Sequence, residues 1–296
     1  MAIENDVLET QLEEELAGLD ALDALRTEAG PGLASRAWSA LWPKVLALFG
    51  VFAVWQIVVW SHWKPEYALP GPTSVLPELG RQLKTVAFWH AVATTMRRAL
   101  VGFGLAVAIG TLLGIGVSRS SILKRGFGSF LTGLQSMPSI TWFPLAILLF
   151  KLSEGAILFV VVLGAAPSIA NGLVSGVDHI PPLLLRAGKM LGARGVDSLR
   201  HVVLPAALPG YVAGLKQGWA FSWRSLLAGE LLVDIAARSS IGAALNQARE
   251  LNDATKLLAM MIVVFGIGVL IDGLVFSAVE TRIRRRRGLI ETGAAA

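Results

Sequence analysis

Apolar runs long enough to cross a bilayer alternate with short polar stretches along most of this chain. Residues 45–61 are apolar except for Gln56, and Trp55, Trp60 and Trp63 gather toward the far end, where amphipathic rings favour a membrane interface. Pro65, Pro70, Pro72 and Pro77 mark a turn region over 62–90, in which an amphipathic helix is predicted over 77–88. Residues 99–117 carry no charge and form the centre of a second span, entered from residue 91 through Arg97 and Arg98. An arginine facing lipid at mid-bilayer costs roughly 2.5–3.5 kcal/mol, so these two must snorkel or face protein. Segment 126–150 is uncharged and long enough to span, but Pro138 and Pro144 break it. A broken helix is tolerated in a membrane where its freed carbonyls are buried in protein or line a cavity. A fourth span covers 155–177, a long fifth 202–233 and a sixth 257–279, with 234–253 as an excursion between the last two.

Between the fourth and fifth spans, 185–209 carries Arg186, Lys189, Arg194, Asp197 and Arg200, so this stretch leaves the membrane. Pro181 and Pro182 suit the first turn of a helix, 183–191 is a good helix-forming run, and Gly192 is where it most easily ends. A second short helical run, 196–203, places Val196, Leu199 and Val203 on one face. Helix, glycine elbow and helix together predict a compact knob.

Orientation follows from basic residues. Loops 118–125 and 180–201 and the tail after 280 hold twelve Lys and Arg, against six in 62–90, 151–154 and 234–253. The knob and both termini are therefore expected in the cytoplasm, giving an inner-membrane, multi-pass chain with six spans.

Composition agrees with the pattern. Of 296 residues 54% are hydrophobic and only 16% charged, with a mean hydropathy of +0.62. A soluble domain carries nearer a quarter charged residues. The absence of cysteine excludes disulfides and thiolate metal sites, and His62, His90, His179 and His201 lack ligand spacing, so no metal is expected. Much of the net charge of +5 lies in the arginines at 282–287, which read as a topological anchor able to touch anionic lipid rather than as a nucleic-acid surface. Residues 1–28 oppose nine acids with Arg26 alone and show no signal peptide. Leu8, Leu12, Leu16, Leu19, Leu22 and Leu25 recur at helical spacing there, which leaves open an amphipathic helix or a solvated tail. Gly30-Pro31-Gly32 reads as a hinge. The expected organisation is an acidic leader 1–44, a membrane domain 45–280 with the loop 181–205, and a basic tail 281–296.

The knob resembles the coupling loop of ABC-importer permeases, whose signature is Glu-Ala-Ala, three residues, Gly, nine residues, Ile, one residue, Leu-Pro. Ala187, Gly192, Val202, Leu204 and Pro205 fall in register, whereas Arg186 and Gly188 depart from the first and third positions of the triplet. In that family the knob docks in a groove on the ATPase subunit, so the resemblance implies a docking loop built on Arg186, Ala187, Gly188, Gly192, Ala193, Leu204 and Pro205. Two further stretches are similar to the nitrate, sulfonate, taurine and bicarbonate branch: the third span, with Pro138, Trp142 and Pro144-Leu145, and the fifth, from Gly214-Leu215 through Trp223 to Glu230. There Gly229 stands where the branch has alanine, and Arg224 is a charge foreign to the pattern.

The resemblance implies an all-α polytopic fold of the type I ABC-importer permease kind. It also implies a second permease copy, two ATPase subunits that bind ATP and Mg, and an external substrate-binding protein. The permease itself holds no cofactor and is not an enzyme: its only Gly-Lys pair, Gly188-Lys189, lacks the upstream glycine of a phosphate loop. Alternating access of a small anion is the implied mechanism.

Candidate path residues are Gln135, Ser136 and Trp142 around the Pro138 break, Ser168 and Asn171 in the fourth span, and Trp223, Arg224 and Glu230 in the fifth. An intramembrane charge is a functional candidate. Arg224 either attracts an oxyanion, which a guanidinium suits, or pairs with an acid or the outer headgroups. Glu230 near the far end reads as a gate or an interfacial hydrogen bond, and Asp272 as a partner for a base of the fifth span. A secondary transporter is the alternative class, although such transporters usually show two similar halves. A membrane enzyme would need a catalytic cluster, and none has the spacing.

Overall fold

The computed structural model describes residues 33–233 and 239–286, and the described residues are helical throughout, without a strand. The acidic leader up to residue 32, with its leucine repeat and the Gly30-Pro31-Gly32 hinge, and Arg287 lie outside the described residues. The chain divides into two compact units, Met1–Trp63 and Lys64–Ala296. Among the described residues of the first, helix α1 (Leu33–Trp60) starts well before the predicted 45 and takes Pro43 inside it. Its apolar part is Val45–Trp60, with Phe52 stacked on Trp55 at 5.9 Å.

The second unit begins with α2 (Pro72–Gln82), for which Pro72, not Pro77, supplies the first turn. The predicted helix 77–88 is corrected here: the chain turns at Leu83–Thr85, and Thr85 caps a new helix by accepting Phe88 N–H at 3.3 Å. That helix, α3 (Val86–Ser118), is a continuous span that includes both arginines. Next come α4 (Ser121–Ser136), a 3₁₀ turn (Ser139–Trp142) and α5 (Phe143–Phe150). The break falls at Pro138, while Pro144 sits harmlessly in the first turn of α5, where no intrahelical donor is needed.

Helix α6 (Glu154–Asp178) carries Pro167 without interruption. The knob follows as α7 (Pro182–Met190), α8 (Gly195–Ser198) and a π turn (Leu199–Val203), which leads straight into α9 (Leu204–Leu232). The excursion expected over 234–253 is itself partly helical, as α10 (Ile241–Glu250). The last span is α11 (Ala254–Ile271), a π turn (Asp272–Phe276) and α12 (Ser277–Arg286).

The predicted spans thus coincide with helical units. By length and apolarity alone, Val86–Ser118, Glu154–Asp178 and Ala254–Ile283 suffice to cross a membrane, and the pair Ile122–Ser136 and Ser139–Phe150, bent by 98°, makes a fourth if taken as one span. Helix α9 has the length, with 29 residues, but Lys216, Arg224 and Glu230 make it more polar.

Helix α6 is the centre of this unit, packed along α9 on one side and α3 on another. Its core residues Ala156, Ile157, Val160, Val161, Ala165 and Ile169 are fully or almost fully removed from solvent. Small residues set the spacing. A Cβ placed on Gly172 would strike the backbone of Gly214, and one on Gly210 would come within 2.5 Å of Gly176 Cα. Two Gly-x-x-x-Gly pairs, Gly172/Gly176 and Gly210/Gly214, therefore face each other with backbone against backbone. In lipid, where the apolar effect between helices is weak, such close approach is a main source of helix association.

Gly172→Val is expected to destabilise this unit by about 3 kcal/mol or more, since overpacking here displaces backbone rather than a side chain. Gly104→Val, where an added Cβ meets nothing within 4 Å, should change stability by less than about 0.5 kcal/mol. Denaturant unfolding of the two variants in detergent checks the contrast.

Candidate functional site

The knob is built by local backbone chemistry. Pro181 and Pro182 start α7, and its far end closes with Ala193 N–H donating to Gly188 O at 3.0 Å and Gly192 N–H to Lys189 O at 3.1 Å. This double cap needs a left-handed residue between, and Gly192 has φ of +86°. Gly188 is buried, and a Cβ there would lie 2.8 Å from Val202 Cγ2, so glycine at the third triplet position leaves room for the Val202 side chain of the following π turn. The π turn also has a cause. Pro205 offers no N–H to the His201 carbonyl, and its ring would crowd that carbonyl in α geometry; the wider turn relieves both.

The knob is anchored on its inner side and bare at its tip. Leu185 and Val203 pack toward the Leu173, Ile180 and Ala207 cluster, and Lys124 pairs with Asp178 at the end of α6. Leu183, Met190, Leu191 and Val196 point outward, Leu191 being 89% exposed. The expected common face of Val196, Leu199 and Val203 is corrected: Val196 is exposed while Leu199 and Val203 are half-buried, because the π turn rotates one against the others. Arg186, Lys189, Arg194 and Arg200 surround the apolar tip; Ala187 and Ala193 are half-buried, and Leu204 and Pro205 are exposed.

The path candidates separate into distinct environments. Gln135 Nε2 donates to the buried Ser168 Oγ at 3.1 Å, joining the broken span to α6. Ser136 bonds back to Gly133 O at 2.8 Å, Asn171 is half-buried, and Trp142 packs on the main core. Trp223 is buried and stacked on Trp219 at 6.3 Å. Arg224 is exposed; its Nε donates to Ala220 O at 3.1 Å and its guanidinium lies 4.7 Å from the Phe221 ring centre. Among the described residues no carboxylate pairs with it. Ala213, Gln217 and Ala220 share its exposed face of α9. Asp272 pairs with Lys216 of α9 at 3.2 Å, as charge balance requires.

Glu230 sits in none of these places. Its side chain is fully buried and accepts from Arg98 Nη1 at 2.9 Å and from Thr95 Oγ1 at 2.8 Å. Arg98 is buried and also reaches Glu154, which Arg97 meets at 3.1 Å. Arg98 thus faces protein, whereas Arg97 stays exposed and meets protein through Glu154. Thr95 and Gly242, which joins this network, were not legible as site residues; the signal available was that buried Arg98 demanded an acid. Among the described residues no three His, Asp or Glu side chains group within reach of one metal ion.

Residues 106–285 match the family model described as the binding-protein-dependent transport system inner membrane component. The chain belongs to this family. A Methanocaldococcus jannaschii protein described as an ABC transporter permease is 30% identical over 60% of this chain and 66% of its own length. The taurine transport system permease protein TauC of Escherichia coli is 26% identical over 88% of this chain and 97% of its own. Among solved structures, the MetNI methionine ABC transporter in inward facing form shares the fold, with a TM-score of 0.51 at 23% identity, covering 67% of this chain and 93% of that one. This permease is therefore a multi-pass membrane component of an ABC importer, and the all-α reading of its sequence stands.

Gly192→Val in this permease forces a branched side chain into left-handed backbone, a strain of about 1–2 kcal/mol. Hydrogen exchange at the Gly188–Ala193 turn should accelerate about tenfold; an unchanged rate would show that the cap does not hold the knob.

Proposed function

We propose that two copies of this chain form the membrane pathway of an ATP-driven importer for a small oxyanion, of the sulfonate, taurine, nitrate or bicarbonate type. ATP and Mg are held and turned over by separate ATPase subunits, and a binding protein delivers the substrate from outside. The observation that carries this reading is the bare tip of the knob. Leu183, Met190, Leu191 and Val196 form an apolar surface outside the span region, flanked by cations. Exposed apolar clusters of this kind mark protein contacts. A groove on an ATPase subunit suits a helix-elbow-helix of this size, and the register of Ala187, Gly192, Leu204 and Pro205 is that of the family's docking loop.

The substrate class rests on Arg224. A lone guanidinium on the exposed face of a span, beside Gln217 and small residues, is costly against lipid but acceptable beside water and a second copy of the same face. There it supplies positive charge to a passing anion with forked donors that match planar or tripodal oxygens. The taurine permease relative supports a sulfonate. Closure of the ATPase pair would press the knobs together and, through α6 and α9, alternate the opening of the path. In this arrangement the knob and the arginine tail are cytoplasmic, and α2 and α10 face outward.

Leu191→Asp is expected to abolish co-purification of the ATPase subunit, because a desolvated carboxylate replaces an apolar contact, while the permease still folds. Retained ATPase binding by this variant, at the level of the unmodified protein, overturns the docking role. Arg224→Ala should lower ATP-dependent uptake of taurine or nitrate into proteoliposomes about tenfold or more, with Arg224→Lys intermediate. Equal uptake by all three proteins removes Arg224 from the path.

A further inference from the structure

The first turn of α10 is held by side chains from two other helices. Its cap residue Ser240 satisfies Ala243 N–H with its own hydroxyl at 3.2 Å. The two preceding amides have no such local partner: Ile241 N–H donates to Thr95 Oγ1 of α3 at 3.0 Å, and Gly242 N–H donates to Glu230 Oε2 of α9 at 3.1 Å. All three groups are buried. A carboxylate at a helix N-terminus is favoured by the helix dipole, and Arg98 neutralises it from the other side. Thr95 ties the set together, donating to Glu230 while accepting from Ile241. Gly242 has no room for a side chain, since a Cβ would collide with Glu230 Cβ. The helix therefore rests directly on α9.

We propose that Thr95, Arg98 and Glu230 form a charge-balanced socket for the first turn of α10, which makes α10 a lever between this end of the permease and spans α3 and α9. A buried ion pair gives little net stability over an apolar pair of the same volume. What it does give is a fixed position: α10 seats in only one register, and movement of α10 is carried to Glu230 and Arg98. Ile241, Leu245, Phe88 and Met260 pack together on the inner face, and Gln247, Arg249 and Glu250 remain exposed on the other. That polar face fits contact with the external binding protein, a step that rests on the importer reading above. The three residues act by positioning α10, without touching substrate.

The test uses the full permease in nanodiscs with its ATPase subunit and binding protein. In Thr95→Val, hydrogen exchange of Ile241 should rise about tenfold, its amide having lost its buried acceptor, and in Glu230→Gln that of Gly242 should rise because a neutral amide oxygen accepts more weakly than the carboxylate. In Thr95→Val, basal ATP hydrolysis should stay within about twofold while its stimulation by the binding protein falls toward unity. Unchanged exchange in Thr95→Val overturns the socket, even if Glu230→Gln fails to fold. Faster exchange with full stimulation keeps the socket and overturns the lever. No stimulation in the unmodified complex overturns the importer reading and the lever together, while the exchange measurement still decides the socket.

Discussion

Backbone contact between α6 and α9 is the constraint on which the permease unit depends. Where Gly172 and Gly176 meet Gly210 and Gly214, no Cβ separates the helices, so carbonyl and Cα surfaces pack directly and dispersion is gained along the whole crossing. The same pair brackets the knob. Helix α6 ends at Asp178 and α9 begins at Leu204, so both legs of the loop enter the tightest packing in the unit. Gly176 against Ala207 carries that contact close to the loop itself. The knob therefore joins the ends of two helices packed backbone against backbone.

Charges within the spans are handled in three ways, and each has its own physical logic. Arg98 and Glu230 are buried and paired, with Thr95 and a helix N-terminus also donating to the carboxylate. Removing one member of such a set leaves an uncompensated charge, which is far costlier than losing the pair. Lys216 and Asp272 are paired near the surface at 3.2 Å, where the attraction is smaller but still cancels a charge that lipid would exclude. Arg224 is left to bond its own helix and to lie over Phe221. This last arrangement leaves an exposed guanidinium with donors to spare.

Much of the fold was legible because a bilayer imposes a coarse rule: runs of about 20 apolar residues become helices. Pro138 marked the break and Gly192 the elbow for reasons of backbone geometry that act within a few residues. Pro77 misled because a proline marks a first turn only when the preceding residues are not already helical, and Pro72 had begun the helix. Val196 misled because the π turn ahead of Pro205 changes the angular period on which a shared face depends.

By itself, then, the sequence determined the class, the apolar helices and the helix-elbow-helix shape of the loop, all of which follow from apolar length, local backbone preference and a spaced motif. Tertiary structure alone decided which polar groups meet. Glu230, read as a gate or an interfacial hydrogen bond, lies beside Arg98, 132 positions away in the chain, and Trp223 is buried beside Trp219. Periodicity reports which side of a helix a residue occupies. It carries no record of which helix lies opposite, because that is settled by the close approach of glycines far apart in the chain.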